Sequence, residues 1–419
     1  MPKKKEQAEE GSIVWVMWAL ASFFYAFQYI LRVLPNIMMA QIQDRFSLDA
    51  ADFGQYAGVY YIGYAAVHIP IGILLDRKGP RIVMSLCILL SVLGLLPLLY
   101  ADVWIYPLVG RMLIGIGSSA AILGVFKVIR MAFPEKRFVR MLGFSVAIGL
   151  LGAIYGGQPV YFFMRYLGWS QVIEIICIFG LLLAAAVYGI MPPYDPPKRT
   201  DDSIWHDIKE VCTNQRVLLI CFMGGLMVGP LEGFADAWGV GYLQTVYQFD
   251  HFRTASLPSL IFFGMCFGSP LLSYISERTK AYYPMTILSA CVMGAIFIFM
   301  LGGWGSEAAF TYLFPIVGVF CASQILVIYK ASSSVPERYI ALTTSLANMI
   351  IMTFGYLFHA SIGWIMKTTW QGQLSDGGRP VYSAENFTMG LSVIPSTLII
   401  AAIGFSCLYW SDKKQAVKT

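Results

Sequence analysis

Gly72-Ile73-Leu74-Leu75-Asp76-Arg77-Lys78-Gly79-Pro80-Arg81 is the stretch on which the fold turns. It interrupts two long apolar runs, residues 52–75 and 81–100. Each run approaches the ~20 residues that an α-helix needs to cross a bilayer. Three consecutive charged side chains are too costly to hold in hydrocarbon, so the stretch reads as an aqueous turn between two spans. Gly72 allows two helices to approach closely. Gly79 permits a tight turn, and Pro80 suits the first turn of the next helix. Asp76 falls at a helix C-terminus, where the macrodipole disfavours an anion. It therefore calls for a partner, either a basic residue or the N-terminus of another helix.

The rest of the chain repeats this alternation. Of 419 residues, 58% are hydrophobic, 15% aromatic and 13% charged. A soluble domain carries about 25% charged residues, so a water-soluble enzyme, a disordered chain and a disulfide scaffold are all excluded. Twelve apolar segments are expected, at 13–38, 52–75, 81–100, 103–131, 141–164, 170–190, 217–246, 255–276, 283–303, 309–331, 339–366 and 387–410. They are continuous runs, not the short alternating segments of a transmembrane barrel. The first is too long for a signal-peptide core and reads as a retained span. The 8 cysteines lie almost all in apolar runs without a CxxC, and read as small buried hydrophobes. The net charge of +5 is not a nucleic-acid footprint, because topology accounts for it.

With both termini cytoplasmic, about twenty basic residues fall on the inner side and about five on the outer, as the positive-inside rule requires. The outer five are Arg45, Arg165, Arg253, Lys367 and Arg379. The longest polar connection of the middle runs through Pro192, Pro193, Pro196, Pro197, Lys198, Arg199, Asp201 and Asp202, and its Trp205–Lys209 stretch reads as a short surface helix. It divides the chain into residues 1–191, a central loop 192–216 and residues 217–419. The halves also repeat. A shift of 201 places Gly63 on Gly264, Asp76 on Glu277 and Arg77 on Arg278; a shift of 202 places Pro134-Glu135-Lys136 on Pro336-Glu337-Arg338. The expected fold is an all-α polytopic membrane protein of twelve transmembrane helices in two pseudo-symmetric six-helix bundles.

The opening stretch also resembles a known motif. Gly72, Asp76, Arg77, Gly79 and Arg81 match the GxxxDRxGxR loop of the major facilitator superfamily, and Arg111, Gly115 and Gly117 match its RxxxGxG pattern in the fourth span. The resemblance implies that the loop acts as a gate clipping the halves together, with Glu277-Arg278 as a degraded second copy. It implies a structural or proton-linked role for Arg111. The fifth span, Gly149-Leu-Leu-Gly152-Ala-Ile-Tyr155-Gly156-Gly157-Gln158-Pro159, departs from the GxxxGPxxGG signature of drug:proton antiporters.

A charge at the bilayer centre costs about 2.5–3.5 kcal/mol, so charges within spans usually face a cavity and serve function. Tyr25, Gln28, Tyr29 and Arg32 fall at i, i+3, i+4 and i+7 and share one helical face. Arg32 suits bidentate binding of a carboxylate or phosphate, or snorkels to the interface. The pattern resembles the organic-anion branches of the superfamily, although the basic residue they carry in the seventh span is missing. Glu232 and Asp236 fall at i, i+4 in the seventh span, beside Gly229, Pro230 and Gly233. Two close carboxylates in a low-dielectric site do not readily both ionise, which suits proton coupling; the alternative is that one pairs with a basic residue. Lys127 and Lys330 are inner-vestibule charges or snorkels. Gln324 and Asn348 contact substrate or bond between helices. His68 and His359 are titratable or simply packed.

These residues lead to an expected secondary active transporter, with substrate held near mid-membrane between the halves. Arg32 would fix an anionic group, and Glu232 and Asp236 a proton or an amine. Tyr25, Tyr29, Tyr155, Trp238 and Tyr329 would shape the cavity with Gln28 and Gln158. The expected cargo is a small organic anion or a zwitterion such as an amino acid, taken up with protons across the inner membrane by a monomer. The proton gradient is the energy source, with no metal or cofactor and no catalytic constellation. A drug or siderophore exporter is the first alternative. A non-transporting receptor or scaffold is the second, for which the central loop is short.

Overall fold

In the computed structural model, residues 2–134, 137–194, 204–336, 339–374 and 380–416 are described. Glu135, Lys136, Glu337, Arg338, Arg379 and the charged part of the central loop fall outside them. The described residues form helices throughout, with one isolated bridge between Leu374 and Pro380. Among them, ten helices are long and apolar enough to cross a membrane; Gln215–Gly225 and Gly229–Tyr247, bent by 41° at a short break, make an eleventh span. Ala50–Tyr100 is a single helical stretch in that count, but Gly79 interrupts it with a φ of +76°. The break lies between the apolar segments 52–75 and 81–100. Ile204–Thr213 supplies the short helix expected after the central prolines.

Gly79 is required twice over. Its positive φ is strained for any residue with a Cβ, and a Cβ there would lie 2.2 Å from Cβ of Tyr194. The expectation for Gly72 is not met. A Cβ at Gly72 would meet only Cδ1 of Leu123, at 3.9 Å, an ordinary van der Waals contact that leaves room for a side chain. The close approach lies at Gly63 instead, where a Cβ would fall 2.3 Å from the Met112 carbonyl oxygen of the fourth span, Ile105–Ala132. Its repeat partner Gly264 stands in the same way 1.9 Å from the Pro315 carbonyl of the tenth span, Glu307–Ser332. The sequence repeat is thus also a repeat of backbone contacts.

Two compact units result. The first comprises Met1–Arg32 and Ile62–Thr200; the second comprises Val33–Tyr61 and Asp201–Thr419. In the first, Gly152 brings the fifth span against the Ala26 carbonyl, and Trp18 and Ser22 both bond the Ser145 hydroxyl, at 2.8 and 2.9 Å. In the second, Ser259–Thr279 packs along Glu307–Cys321 and Tyr282–Leu301 along Val393–Ala416. The hairpin 33–61 is joined to the second unit through Ala50 N–H, which donates to Tyr382 OH at 2.8 Å, and through Lys367 and Asp49 at 2.6 Å. Burial pushes the Tyr382 phenol above its ordinary range, which keeps it a neutral acceptor.

Gly63→Ala and Gly264→Ala each force a methyl into a backbone oxygen and should cost about 1–3 kcal/mol. Gly189→Ala, with open space around it, should be neutral or mildly stabilising. Thermal unfolding of the three purified variants measures the contrast.

Candidate functional site

The first-span face forms as its spacing predicts. Tyr25 and Tyr29 meet edge to face with ring centroids 5.2 Å apart and hydroxyls 3.5 Å apart. The Arg32 guanidinium lies 5.3 Å from the Tyr29 ring centroid. Gln28, Tyr29 and Arg32 are buried, and Tyr25 is half-buried. Stacking on an aromatic face stabilises a guanidinium and holds its planar fork in one orientation. Arg111, 2% exposed, donates from Nη1 to the Leu31 carbonyl at 2.6 Å and from Nη2 to the Arg32 carbonyl at 2.8 Å. It thereby anchors the backbone that carries Arg32.

The seventh span carries the other charged group. Its Gly229–Trp238 segment is a π-helix, with Pro230 in its first turn, and is wholly buried. Such helices are usually single-turn bulges and concentrate at functional sites; this one runs for ten residues. The four-residue spacing of Glu232 and Asp236 therefore subtends a different angle from the one it has in an α-helix. Both carboxylates are buried, at 0% and 2% exposure. Tyr61 OH donates to Asp236 Oδ2. Tyr61 in turn stands against the His359 ring, 5.7 Å between centroids. Trp238 is fully buried and packs edge-on against Phe53 at 5.3 Å.

A residue absent from the sequence reading closes this region. The Asn36 side chain donates from Nδ2 to the Ala235 carbonyl at 2.6 Å and accepts from Val240 N–H at 3.0 Å. Tyr61 was likewise missed. Each is an ordinary polar residue in its own span, and its significance comes from a partner some 200 positions away. The only local hints are Pro35 before Asn36 and the tyrosine run Tyr60, Tyr61 and Tyr64.

The loop charges separate in a similar way. Asp76 finds its basic partner in Lys127, at 2.7 Å, and Lys127 also donates to Tyr194 OH at 2.9 Å. Two candidates from different motifs are thus one cluster, completed by the first residues of the central loop. Arg81 lies over the Tyr188 ring at 4.5 Å, while Arg77 is exposed. In the second copy Glu277 and Arg278 are exposed, with Arg278 over the Tyr274 ring at 5.0 Å. Lys330 lies 4.0 Å from Asp412, which also pairs with Arg216. Tyr329 stacks on Tyr282 at 4.6 Å. Gln158, Gln324 and Asn348 are half-buried, and Tyr155 is exposed. His68 stacks on Tyr64 at 5.2 Å.

Residues 18–359 match the Major Facilitator Superfamily, and the chain belongs to that superfamily. Its members bind small-molecule substrates within the lipid membrane, and this chain is a multi-pass membrane protein. Among curated relatives, the probable L-galactonate transporter of Escherichia coli is 24% identical over 71% of this chain and 68% of its own length. The chloramphenicol resistance protein CraA of Acinetobacter baumannii is 23% identical over 68% of this chain and 70% of its own. Among solved structures, a bacterial homologue of the human lysosomal transporter Spinster, inward-facing and unoccupied, superposes with a TM-score of 0.75 at 16% identity. That match covers 94% of this chain and 96% of the other, and it establishes the fold.

Arg111→Gln loses charge-assisted bonds to two carbonyls in a buried setting. It should cost about 2–3 kcal/mol. Arg111→Lys should fall between, since an ammonium cannot span both oxygens as a fork does. Melting temperatures of the two variants in one detergent check the order.

Proposed function

We propose that this protein is a twelve-span secondary transporter that takes up a small organic anion with protons. The observation that carries the reading is the buried tyrosine and arginine face of the first span. Arg32 stacks on Tyr29 there, and Arg111 fixes the backbone beneath it. A buried guanidinium held in one orientation, with Tyr25 and Gln28 on the same face, suits a carboxylate with neighbouring hydroxyls. A hexonate fits that description, and the resemblance to the L-galactonate transporter supports the choice. Zwitterions such as amino acids share the carboxylate and belong to the same test. Glu232 and Asp236, both buried in the seventh span, are the proposed proton carriers. The proposal extends to a monomer in a bacterial inner membrane with both termini cytoplasmic, which the positive-inside count of the sequence supports. The resemblance to CraA favours a second reading, export of a drug.

Proteoliposomes given an inside-alkaline pH gradient decide between them. Radiolabelled galactonate or a related sugar acid should accumulate. Arg32→Ala should reduce that uptake ~10–100-fold, the worth of one charge-assisted bond of about 1.5–3 kcal/mol. Glu232→Gln and Asp236→Asn should each reduce gradient-driven accumulation more than they reduce exchange. Absence of accumulation for all sugar acids and amino acids, together with raised chloramphenicol tolerance in expressing cells, would overturn uptake in favour of export.

A further inference from the structure

The seventh span contains a hydrogen-bond arrangement that its own backbone does not explain. At the end of the π-helix, Gly239 N–H bonds the Phe234 carbonyl, a step of five residues. The next step of five would join Val240 N–H to the Ala235 carbonyl. The Asn36 carboxamide stands across that rung, with Nδ2 on the Ala235 oxygen at 2.6 Å and Oδ1 on the Val240 N–H at 3.0 Å. Asn36 is 4% exposed, and it lies next to Pro35, two residues before the irregular residue Met38. Both ends of one backbone rung are therefore held by one side chain from another span. Asp236 is the residue immediately inside the bracket, and its Oδ2 accepts from Tyr61 OH.

We infer that Asn36 is a positioning residue that holds the seventh span in π-helical form and so directs Asp236 at Tyr61. The physical basis is the cost of an unsatisfied backbone group in a low-dielectric interior, about 1–3 kcal/mol each. With Asn36 in place, the 235 and 240 groups are satisfied without closing on each other. When Asn36 withdraws, both need partners, and an α-helical register supplies them through bonds four residues apart. An α-helix turns 100° per residue and a π-helix less, so rewinding rotates Asp236 away from Tyr61. The span thus has two discrete arrangements, and the hairpin residue Asn36 selects between them. The consequence for coupling rests on the proposed proton-carrying role of Asp236; the positioning itself does not.

A double-mutant cycle tests the positioning without any substrate. Tyr61→Phe should lower the melting temperature of the parent protein. In an Asn36→Ala background the same substitution should lower it by less than half as much, because Asp236 no longer points at Tyr61. Hydrogen exchange of peptides covering Gly229–Tyr247 should change at least tenfold in Asn36→Ala. Equal Tyr61→Phe shifts in both backgrounds, or unchanged exchange, would overturn the inference. If Asn36→Ala does not fold, Asn36→Asp serves in the same cycle: it keeps the acceptor for Val240 and loses the donor to Ala235, so about half of the coupling should survive. In proteoliposomes, Asn36→Ala should lose gradient-driven accumulation at least tenfold more than counterflow exchange, and equal losses would count against the role in coupling. A parent protein that moves no organic acid in either mode defeats the proposed function and leaves the cycle to decide Asn36.

Discussion

Every backbone N–H and C=O in a membrane interior must find a partner, because no water is available to supply one. Regular helices meet this requirement internally, which is why the described residues are almost wholly helical. The requirement becomes restrictive wherever a helix is irregular. The seventh span breaks after Gly225, continues as a ten-residue π-helix and resumes as Gly239–Tyr247. Such a segment persists only if its displaced backbone groups are met from outside. The Asn36 bracket does this, and it ties the hairpin 33–61 to the second unit at the point where two buried carboxylates lie. Backbone accounting, charge placement and the composition of that unit are in this sense one constraint.

Buried charges obey the same economy. Arg111 donates from both terminal nitrogens to two main-chain carbonyls, which leaves the Arg32 backbone fixed. Arg32 lies on an aromatic face, so part of its solvation is replaced by the Tyr29 ring. Asp76, unfavourably placed against a helix dipole, is met by Lys127. Its carboxylate is half exposed, so that pair contributes little to stability and serves chiefly to orient the loop. Arg111 thus acts on the backbone that carries Arg32, while the Arg32 guanidinium itself lies on an aromatic platform.

Much of this was legible from local pattern. The spans follow from run length, the turn at Gly79 from a charged interruption, and the face of Tyr25, Gln28, Tyr29 and Arg32 from helical spacing. Each depends on residues within a dozen positions of one another. What escaped is long-range. Asn36 and Ala235 are 199 positions apart, Tyr61 and Asp236 175, and Lys127 and Asp76 51. A polar residue in an apolar run signals that it has a partner, not which one. The π-helix escaped for a different reason. A period of 3.6 is assumed whenever faces are read from spacing, and glycine with proline marks irregularity without giving its register.

The two halves show which inherited contacts physical chemistry preserves. Gly63 and Gly264 each meet a carbonyl of the span two further on. A backbone-to-backbone approach that close admits glycine alone, so both copies of the repeat keep it. Side-chain charges have more than one solution, and here the copies diverge. Asp76 is held by Lys127, which also donates to Tyr194, whereas Glu277 and Arg278 stand exposed and Lys330 turns to Asp412. The first helix of each half diverges furthest, one carrying a guanidinium on an aromatic face, the other two carboxylates in a π-helix. A repeat that is strict where backbones touch and free where charges sit lets one fold carry a guanidinium in one half and two carboxylates in the other.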